Sequence, residues 1–191
     1  MSDLAYWYIA RAAALAAFTV LSASLLTGMA IRTALLAAVA RNRAILTVHA
    51  FLSWFWIPLI AVHVAALVLD GTAHIRIVDV FVPFLARTPY VTTASHVAVG
   101  LGTVGLLLIV LVGVTSGLRR RMSPRLWLWI HRLTYPMFVT FLVHAQLAGS
   151  DFSRTWISVM GWATLGCLLM LALPRAAGAR VYSPAPEVEG R

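Results

Sequence analysis

The sequence contains no lysine, few carboxylates and a single cysteine. Its 191 residues carry fifteen arginine side chains against six Asp and Glu side chains, which gives a formal net charge of +9. One cysteine excludes a disulfide within the chain and a cysteine cluster that binds zinc. Charged residues make up 11% of the sequence, well below the roughly 25% that is typical of soluble domains.

Apolar residues make up 61% of the chain, and the mean hydropathy is +0.89. A water-soluble core cannot hide so much apolar surface, so lipid must solvate much of the chain. We therefore predict an all-α, multi-pass integral membrane protein that forms a five-helix transmembrane bundle. The predicted domain covers residues 1–175, with spans at about 5–31, 44–69, 95–118, 126–147 and 155–173, followed by a polar tail at 176–191.

The arginines predict the orientation of the spans. They cluster between spans one and two, between spans three and four, and after span five, whereas the arginines of the other loops are balanced by aspartates. By the positive-inside rule, the clustered side is cytoplasmic. We expect the N-terminus outside, the C-terminal tail in the cytoplasm, and the cell (inner) membrane as the location. This placement makes the lipid bilayer a partner and gives no reason to expect nucleic-acid binding.

Four histidines lie in two of the predicted spans. His49 and His63 are fourteen residues apart in span two, and His131 and His144 are thirteen residues apart in span four. A rise of about 1.5 Å per residue separates the members of each span by about 20 Å. Because both spans run in the same direction, His49 and His131 share the inner level, and His63 and His144 share the outer level. Two imidazoles from two helices are suitable axial ligands for a six-coordinate haem iron.

The angular spacing of the histidines places both rings on one face of an ideal helix in span two but not in span four. Fourteen residues return His63 to within about 40° of His49 around an ideal helix, with Trp56 midway on the same stripe. Thirteen residues leave His144 roughly 140° from His131. Pro136 lies between these two histidines and is expected to kink or unwind span four, in a direction that the sequence leaves open.

Several stretches resemble the ferric reductase-like transmembrane family. This family includes the NADPH oxidases, the ferric reductases and the haem-binding membrane subunit of the bacterial periplasmic methionine-sulfoxide reductase system. The histidine spacings of fourteen and thirteen carry most of the resemblance. The segment TSGLRRRMSPRLWLWIHRLTY (115–135) is similar to the family's basic cytoplasmic loop and histidine-bearing helix, while HVAALVLD (63–70) and HAQLAGSD (144–151) resemble outer helix ends.

The resemblance implies two haem b groups, with His49 and His131 on the inner iron and His63 and His144 on the outer iron. It also implies electron transfer from the cytoplasmic to the outer haem. Well-known members continue into a flavin and NADPH domain, whereas this sequence has no G-x-G-x-x-G motif in a strand–turn–helix context. We therefore expect an oxidoreductase electron-transfer subunit with a separate reductase or quinol donor, a flavin or quinone supplied at the cytoplasmic side, and an outer-side redox partner.

Further residues are candidates for contact with the haems. Arg11 lies in span one, where it either pairs with an outer haem propionate or snorkels to the interface. Arg132 either meets an inner propionate or serves as a positive-inside residue. Trp56 lies at mid-depth, either between the haems or as ordinary packing. His74 and His96 lie outside or at the outer edge of the spans, and His96 is the substitute if one assigned ligand is wrong.

Two other functions stay open. The first is a quinol-linked cytochrome b subunit of a larger respiratory complex. The second is a non-redox metal transporter or structural membrane anchor that uses the histidines as ligands or packing groups. Transporters tend to carry carboxylates within their spans, and these spans contain no Glu and no mid-membrane Asp, which disfavours the second alternative.

Overall fold

The computed structural model describes residues 2–33, 42–86 and 93–176, and all regular structure within them is helical. In chain order the α-helices are α1 (Asp3–Thr33), α2 (Asn42–Leu69), α3 (Ile77–Phe81), α4 (Thr93–Gly117), α5 (Pro124–His131), α6 (Thr134–Ala148) and α7 (Thr155–Ala176). Short 3₁₀ helices precede α5 at Arg119–Arg121 and α7 at Ser150–Ser153. Apart from its first residue, the predicted tail over 176–191 lies outside the described residues.

Within the described residues, five stretches are long and apolar enough to cross a membrane, which confirms the predicted all-α bundle and its number of spans. Helices α1, α2, α4 and α7 each supply one stretch, and α5 and α6 together supply the fourth, over Pro124–Ala148. Outward faces carry exposed apolar side chains such as Phe51, Trp54 and Met170, which suit lipid. The orientation of the bundle stays a prediction. We use "outer end" for the end at which α1 begins and "inner end" for the opposite one.

The bundle contains two closely packed helix pairs that share one core. Helix α1 packs along α2, α4 packs along α6, and α7 lies against α1. Leu25, Trp56 and Leu142 belong to the buried core, and the ring of Phe18 stacks on that of Phe138 with centres 5.5 Å apart. Helices α2 and α6 do not pack closely against each other in the described part of the chain. The side chains that these two helices direct inwards therefore face each other across a gap.

The fourth span is interrupted by a turn at residues 132–133, between α5 and α6. Pro136 has no backbone N–H, and its ring interferes with the carbonyl four residues earlier. The Tyr135 N–H donates to the Arg132 carbonyl at 3.1 Å, and the Thr134 hydroxyl donates to the His131 carbonyl at 2.8 Å. The interruption expected from Pro136 is present, and the main-chain groups that it frees find local partners.

A short segment between α2 and α4 closes the outer end. Its helix α3 contains Asp79, which is 2% exposed and accepts a hydrogen bond from the Arg76 guanidinium at 2.7 Å. This bond holds the pKa of the Asp79 carboxyl below its ordinary value. The Thr103 hydroxyl donates to the Asp79 carbonyl at 2.9 Å and so ties α3 to α4. Phe84 lies directly over Gly100, where a Cβ would have no room.

Candidate functional site

The structure brings the four histidines together in two pairs, each with one ring from α2 and one from the fourth span. The ring centres of His49 and His131 are 6.3 Å apart, with 85° between the ring planes. Those of His63 and His144 are 6.5 Å apart, with 76° between the planes. The turn between α5 and α6 allows both rings of the fourth span to face α2, although an ideal helix with a spacing of thirteen would not.

The separation within each pair suits one metal between two imidazoles. With metal–nitrogen bonds of about 2.0–2.1 Å, two imidazoles on opposite sides of one metal have ring centres roughly 6 Å apart. Among the residues that the structure describes, no group of three or more His, Cys, Asp or Glu side chains could hold a metal ion. Each pair therefore suits a metal that brings its other ligands with it, as a porphyrin iron does.

Three of the four rings are held by the same kind of hydrogen bond. Their Nδ1–H groups donate to main-chain carbonyls of neighbouring helices: His49 to Ser24 at 2.8 Å, His63 to Ala10 at 2.9 Å and His144 to Ala98 at 2.7 Å. A ring whose Nδ1 carries the proton has a free lone pair on Nε2. Hydrogen bonds of this type orient metal-binding histidines and fix their tautomer.

Glycines allow two of these rings to lie against the neighbouring helix. A Cβ on Gly28 would lie 2.9 Å from Cε1 of His49, and a Cβ on Gly102 would lie 2.9 Å from Cε1 of His144. Each glycine stands four residues after the residue whose carbonyl accepts that ring's hydrogen bond. The same arrangement therefore recurs at both levels, with α1 holding the inner ring and α4 the outer ring.

Two serines add a hydrogen-bond network at the inner level. The Oγ atoms of Ser24 and Ser53 are 2.9 Å apart, and the Ser53 hydroxyl donates to the His49 carbonyl at 2.7 Å. Ser24 Oγ also lies 3.4 Å from Nδ1 of His49. Ser24 is 4% exposed, and the network links α1 to α2 beside the inner ring.

A cavity of about 440 Å³ contains the outer pair. Its wall is largely apolar and includes Trp7, Phe18, Trp56 and Phe141. Its polar lining includes Arg11, Thr72, Ser95 and Asp151. Cofactor pockets are usually about 300–1,000 Å³, mostly apolar, and equipped with a few polar groups. The cavity fits a large apolar cofactor that has a polar edge.

Arg11 has a partner within the chain that the sequence did not reveal. Its Nε donates to Oδ2 of Asp151 at 2.9 Å, and its Nη2 donates to Oδ1 of the same carboxylate. Its guanidinium carbon also lies 4.1 Å from the centre of the Trp7 ring. The hydrogen bonds from Arg11 hold the pKa of the Asp151 carboxyl below its ordinary value. The predicted contact between Arg11 and an outer propionate stays a prediction.

Arg132 lies beside an exposed tryptophan, whereas Trp56 lies in the buried core. The guanidinium carbon of Arg132 lies 4.9 Å from the centre of the Trp129 ring, and Trp129 is 67% exposed. Trp56 is 7% exposed and belongs to the core that includes α1 and α6 residues. A propionate contact for Arg132 and packing between haems for Trp56 both stay predictions.

His74 and His96 lie outside the two pairs. His96 Nε2 donates to the Phe84 carbonyl at 2.9 Å, so this ring helps to hold the segment that closes the outer end. His74 is exposed, has a φ of 51°, and donates from Nδ1 to the Thr72 carbonyl at 2.9 Å. Both rings have local structural contacts in the outer segment.

A known family matches most of the chain. The model of the ferric reductase like transmembrane component matches residues 13–142, a stretch that includes His49, His63 and His131 and ends two residues before His144. The chain therefore belongs to this family, as the resemblance in its sequence predicted. Among curated proteins and among solved structures, no match to the chain was found.

Family membership makes the chain a multi-pass membrane protein of a redox class. Domains of this family commonly bind haem and usually work with other redox partners. Membership thus indicates transmembrane electron transfer as the general activity.

Proposed function

We propose that this protein is a transmembrane di-haem b cytochrome that passes electrons from a cytoplasmic or membrane donor to an acceptor on the outer side. The two histidine pairs carry the proposal, because their ring centres are 6.3 and 6.5 Å apart and both pairs join the same two spans. His49 and His131 would hold the inner haem, and His63 and His144 would hold the outer haem. Membership of a family that commonly binds haem supports this choice of cofactor.

The chain's own residues orient the ligands. Hydrogen bonds to the carbonyls of Ser24, Ala10 and Ala98 place the proton on Nδ1 and leave the Nε2 lone pair for iron. When bound, haem supplies one-electron redox chemistry at its iron. With one histidine pair holding each haem, the site would favour electron transfer over binding of a small molecule at the metal.

The two pairs lie at different depths in the bundle. Fourteen residues of α2 separate His49 from His63, which is about 21 Å along the helix axis, compared with a hydrocarbon core of about 30 Å. Trp56, Phe138 and Leu142 are buried in the core that joins α1, α2 and α6. These side chains exclude water and keep the dielectric constant low. One site near each face is what a chain needs in order to connect partners on opposite sides of the bilayer.

We further propose that the donor at the inner end is a separate flavoprotein, a free flavin or a quinol, and that a redox partner accepts electrons at the outer end. The inner loop before α5 exposes Arg119, Arg120, Arg121 and Arg125. A positive surface of this kind attracts anionic partners and raises their association rate. The protein would then be an oxidoreductase electron-transfer subunit of the cell (inner) membrane, with its N-terminus outside.

A metal transporter or a structural anchor is a weaker alternative. Sites for bare transition-metal ions usually have three or four protein ligands, whereas the histidines of the described residues meet in twos. A quinol-linked subunit of a respiratory complex shares the two-haem site and differs only in its donor.

Electron transfer through reconstituted vesicles tests the proposal. Purified protein is inserted into vesicles with ferricyanide trapped inside, and reduced flavin mononucleotide, which does not cross lipid, is added outside. Wild-type vesicles should bleach the ferricyanide far faster than protein-free vesicles, while His63→Ala and His131→Ala vesicles should not. His74→Ala is the matched control, because this exposed histidine lies outside both pairs, and it should keep the wild-type rate.

A second arm identifies the donor. If only a membrane-soluble quinol supports the rate, and quinone analogues inhibit it, the protein is the quinol-linked type. Wild-type vesicles that are no faster than protein-free vesicles with either donor would refute the electron-transfer function.

A further inference from the structure

Trp127 packs beside the inner pair. It lies on α5 one turn before His131, and its ring stacks on the imidazole with centres 5.0 Å apart and 22° between the planes. The start of α5 is well defined, because Pro124 occupies the first turn and the Ser123 hydroxyl accepts from the Leu126 N–H at 3.3 Å. The position of the indole is therefore set by both the helix start and the ring beneath it.

The indole N–H of Trp127 is buried, and no acceptor in the described part of the chain lies within hydrogen-bond distance. An indole N–H can only donate, and buried polar groups in folded proteins are nearly always paired. An unpaired donor next to a proposed cofactor site indicates an acceptor that arrives with the cofactor.

The charge around Trp127 indicates that this acceptor is anionic. The guanidinium carbon of Arg119 lies 5.3 Å from the centre of the Trp127 ring. All the carboxylates of the described residues lie at the outer end, in or beside the start of α1, the end of α2, α3 and the 3₁₀ helix before α7: Asp3, Asp70, Asp79 and Asp151. The described residues thus supply no negatively charged side chain at the inner end. An oxygen anion placed there could accept a hydrogen bond from the Trp127 indole and pair with the Arg119 guanidinium.

We propose that Trp127 and Arg119 form a carboxylate-binding site for the haem held between His49 and His131. The indole N–H donates to one propionate of that haem, and the guanidinium neutralises its charge. This inference rests on the proposed function, because haem b carries its two propionates on one edge. Trp127 is a positioning residue, since it acts on the haem edge while it also packs on the His131 ring.

Trp129, two residues further along α5, provides a contrast. It is 67% exposed, and the guanidinium carbon of Arg132 lies 4.9 Å from its ring centre. An exposed indole near a membrane surface is typical of an interfacial aromatic belt. Trp129 therefore serves as a matched control for Trp127.

A redox titration of the purified holoprotein tests the site. Trp127→Phe keeps an aromatic ring against His131 but removes the N–H. The variant should retain two haems per chain, and one of them should have a lower midpoint potential, because a propionate without its donor places more negative charge near the iron and favours the ferric state. Arg119→Gln should lower the same potential, whereas Trp129→Phe should change neither. Two unchanged potentials in Trp127→Phe would overturn the proposal.

The wild-type protein gives an independent readout that does not require any variant to fold with haem. In ¹⁵N-labelled haem-free protein, the indole signal that the wild type has and Trp127→Phe lacks identifies Trp127; the haem-loaded sample is kept in its diamagnetic ferrous state. Its N–H proton should shift downfield when haem is added to the haem-free wild type. An equal downfield shift on adding anionic lipid without haem would assign the acceptor to a lipid phosphate and refute the haem contact. A wild type that binds no haem would instead refute the proposed function itself.

Discussion

A methyl group added at Gly102 should selectively weaken the binding of the proposed outer haem. The new Cβ of Gly102→Ala would lie 2.9 Å from both Cε1 and Nδ1 of His144. Nonbonded carbon atoms meet at about 3.5–4.0 Å, so the ring must withdraw by roughly 0.6 Å or more. The hydrogen bond from Nδ1 to the Ala98 carbonyl, now 2.7 Å, would then stretch to about 3.3 Å or more, beyond the limit of about 3.2 Å for a normal bond.

Loss of a hydrogen bond that orients a metal ligand typically lowers metal affinity about 10–100-fold. We therefore expect Gly102→Ala to lose its outer haem about 10–100-fold more readily than the wild type in competition with excess apomyoglobin, while the inner haem stays bound. Gly28→Ala should show the reverse, because its Cβ would lie 2.9 Å from Cε1 of His49. Haem transfer followed by absorbance measures both effects, and the His63→Ala and His49→Ala spectra identify which haem is lost.

Gly113→Ala is the control, because a Cβ at that position of the same helix meets nothing within 4 Å. It should release both haems at the wild-type rates. The reasoning would be refuted if Gly102→Ala and Gly113→Ala released the two haems alike.

Three further predictions concern the parts that position the rings. Thr134→Val should lower the melting temperature and weaken binding of the proposed inner haem, since the His131 carbonyl loses the hydroxyl that donates to it at 2.8 Å. Thr115→Val, which removes a similar bond on α4, should leave haem binding unchanged. Pro136→Ala should restore a main-chain donor, allow α5 and α6 to merge, and reduce haem content to one per chain. Asp151→Asn should destabilise the protein at neutral pH. Arg11 lowers the folded-state pKa of Asp151. The extra stability of the wild type over Asp151→Asn should therefore be present above the ordinary aspartate pKa and vanish as the pH falls through the lowered pKa. Thermal unfolding in detergent at several pH values measures this difference.

Much of the fold can be predicted from helix geometry and the lengths of the apolar runs. The five spans follow from apolar runs whose lengths match the bilayer, and the described residues contain five such stretches. The rise of a helix predicts which histidines share a level, and the structure places the rings of each level 6.3 and 6.5 Å apart. Their role as haem ligands stays a prediction. The sequence could not predict the directions in which the two histidines of span four point, because Pro136 indicates an interruption of the helix but not the rotation that the interruption produces.

The contacts that hold the rings could not be read from the sequence. Every residue has a carbonyl, so nothing marked Ser24 or Ala98 as the acceptor for a histidine on another helix. Gly28 indicated little about its contact with His49, because in the sequence it is simply one glycine near the inner end of a long apolar span. Arg11 and Asp151 are 140 residues apart in the chain, and they meet because α7, which follows the 3₁₀ helix that contains Asp151, packs against α1.

Haem stoichiometry by the pyridine haemochrome method tests the central claim most directly. The wild type should contain two haem b groups per chain. Each of the four single alanine variants of His49, His63, His131 and His144 should contain one. A wild type with no haem b, or a variant of any of these residues that still holds two, would contradict the assignment of two iron sites to two histidine pairs.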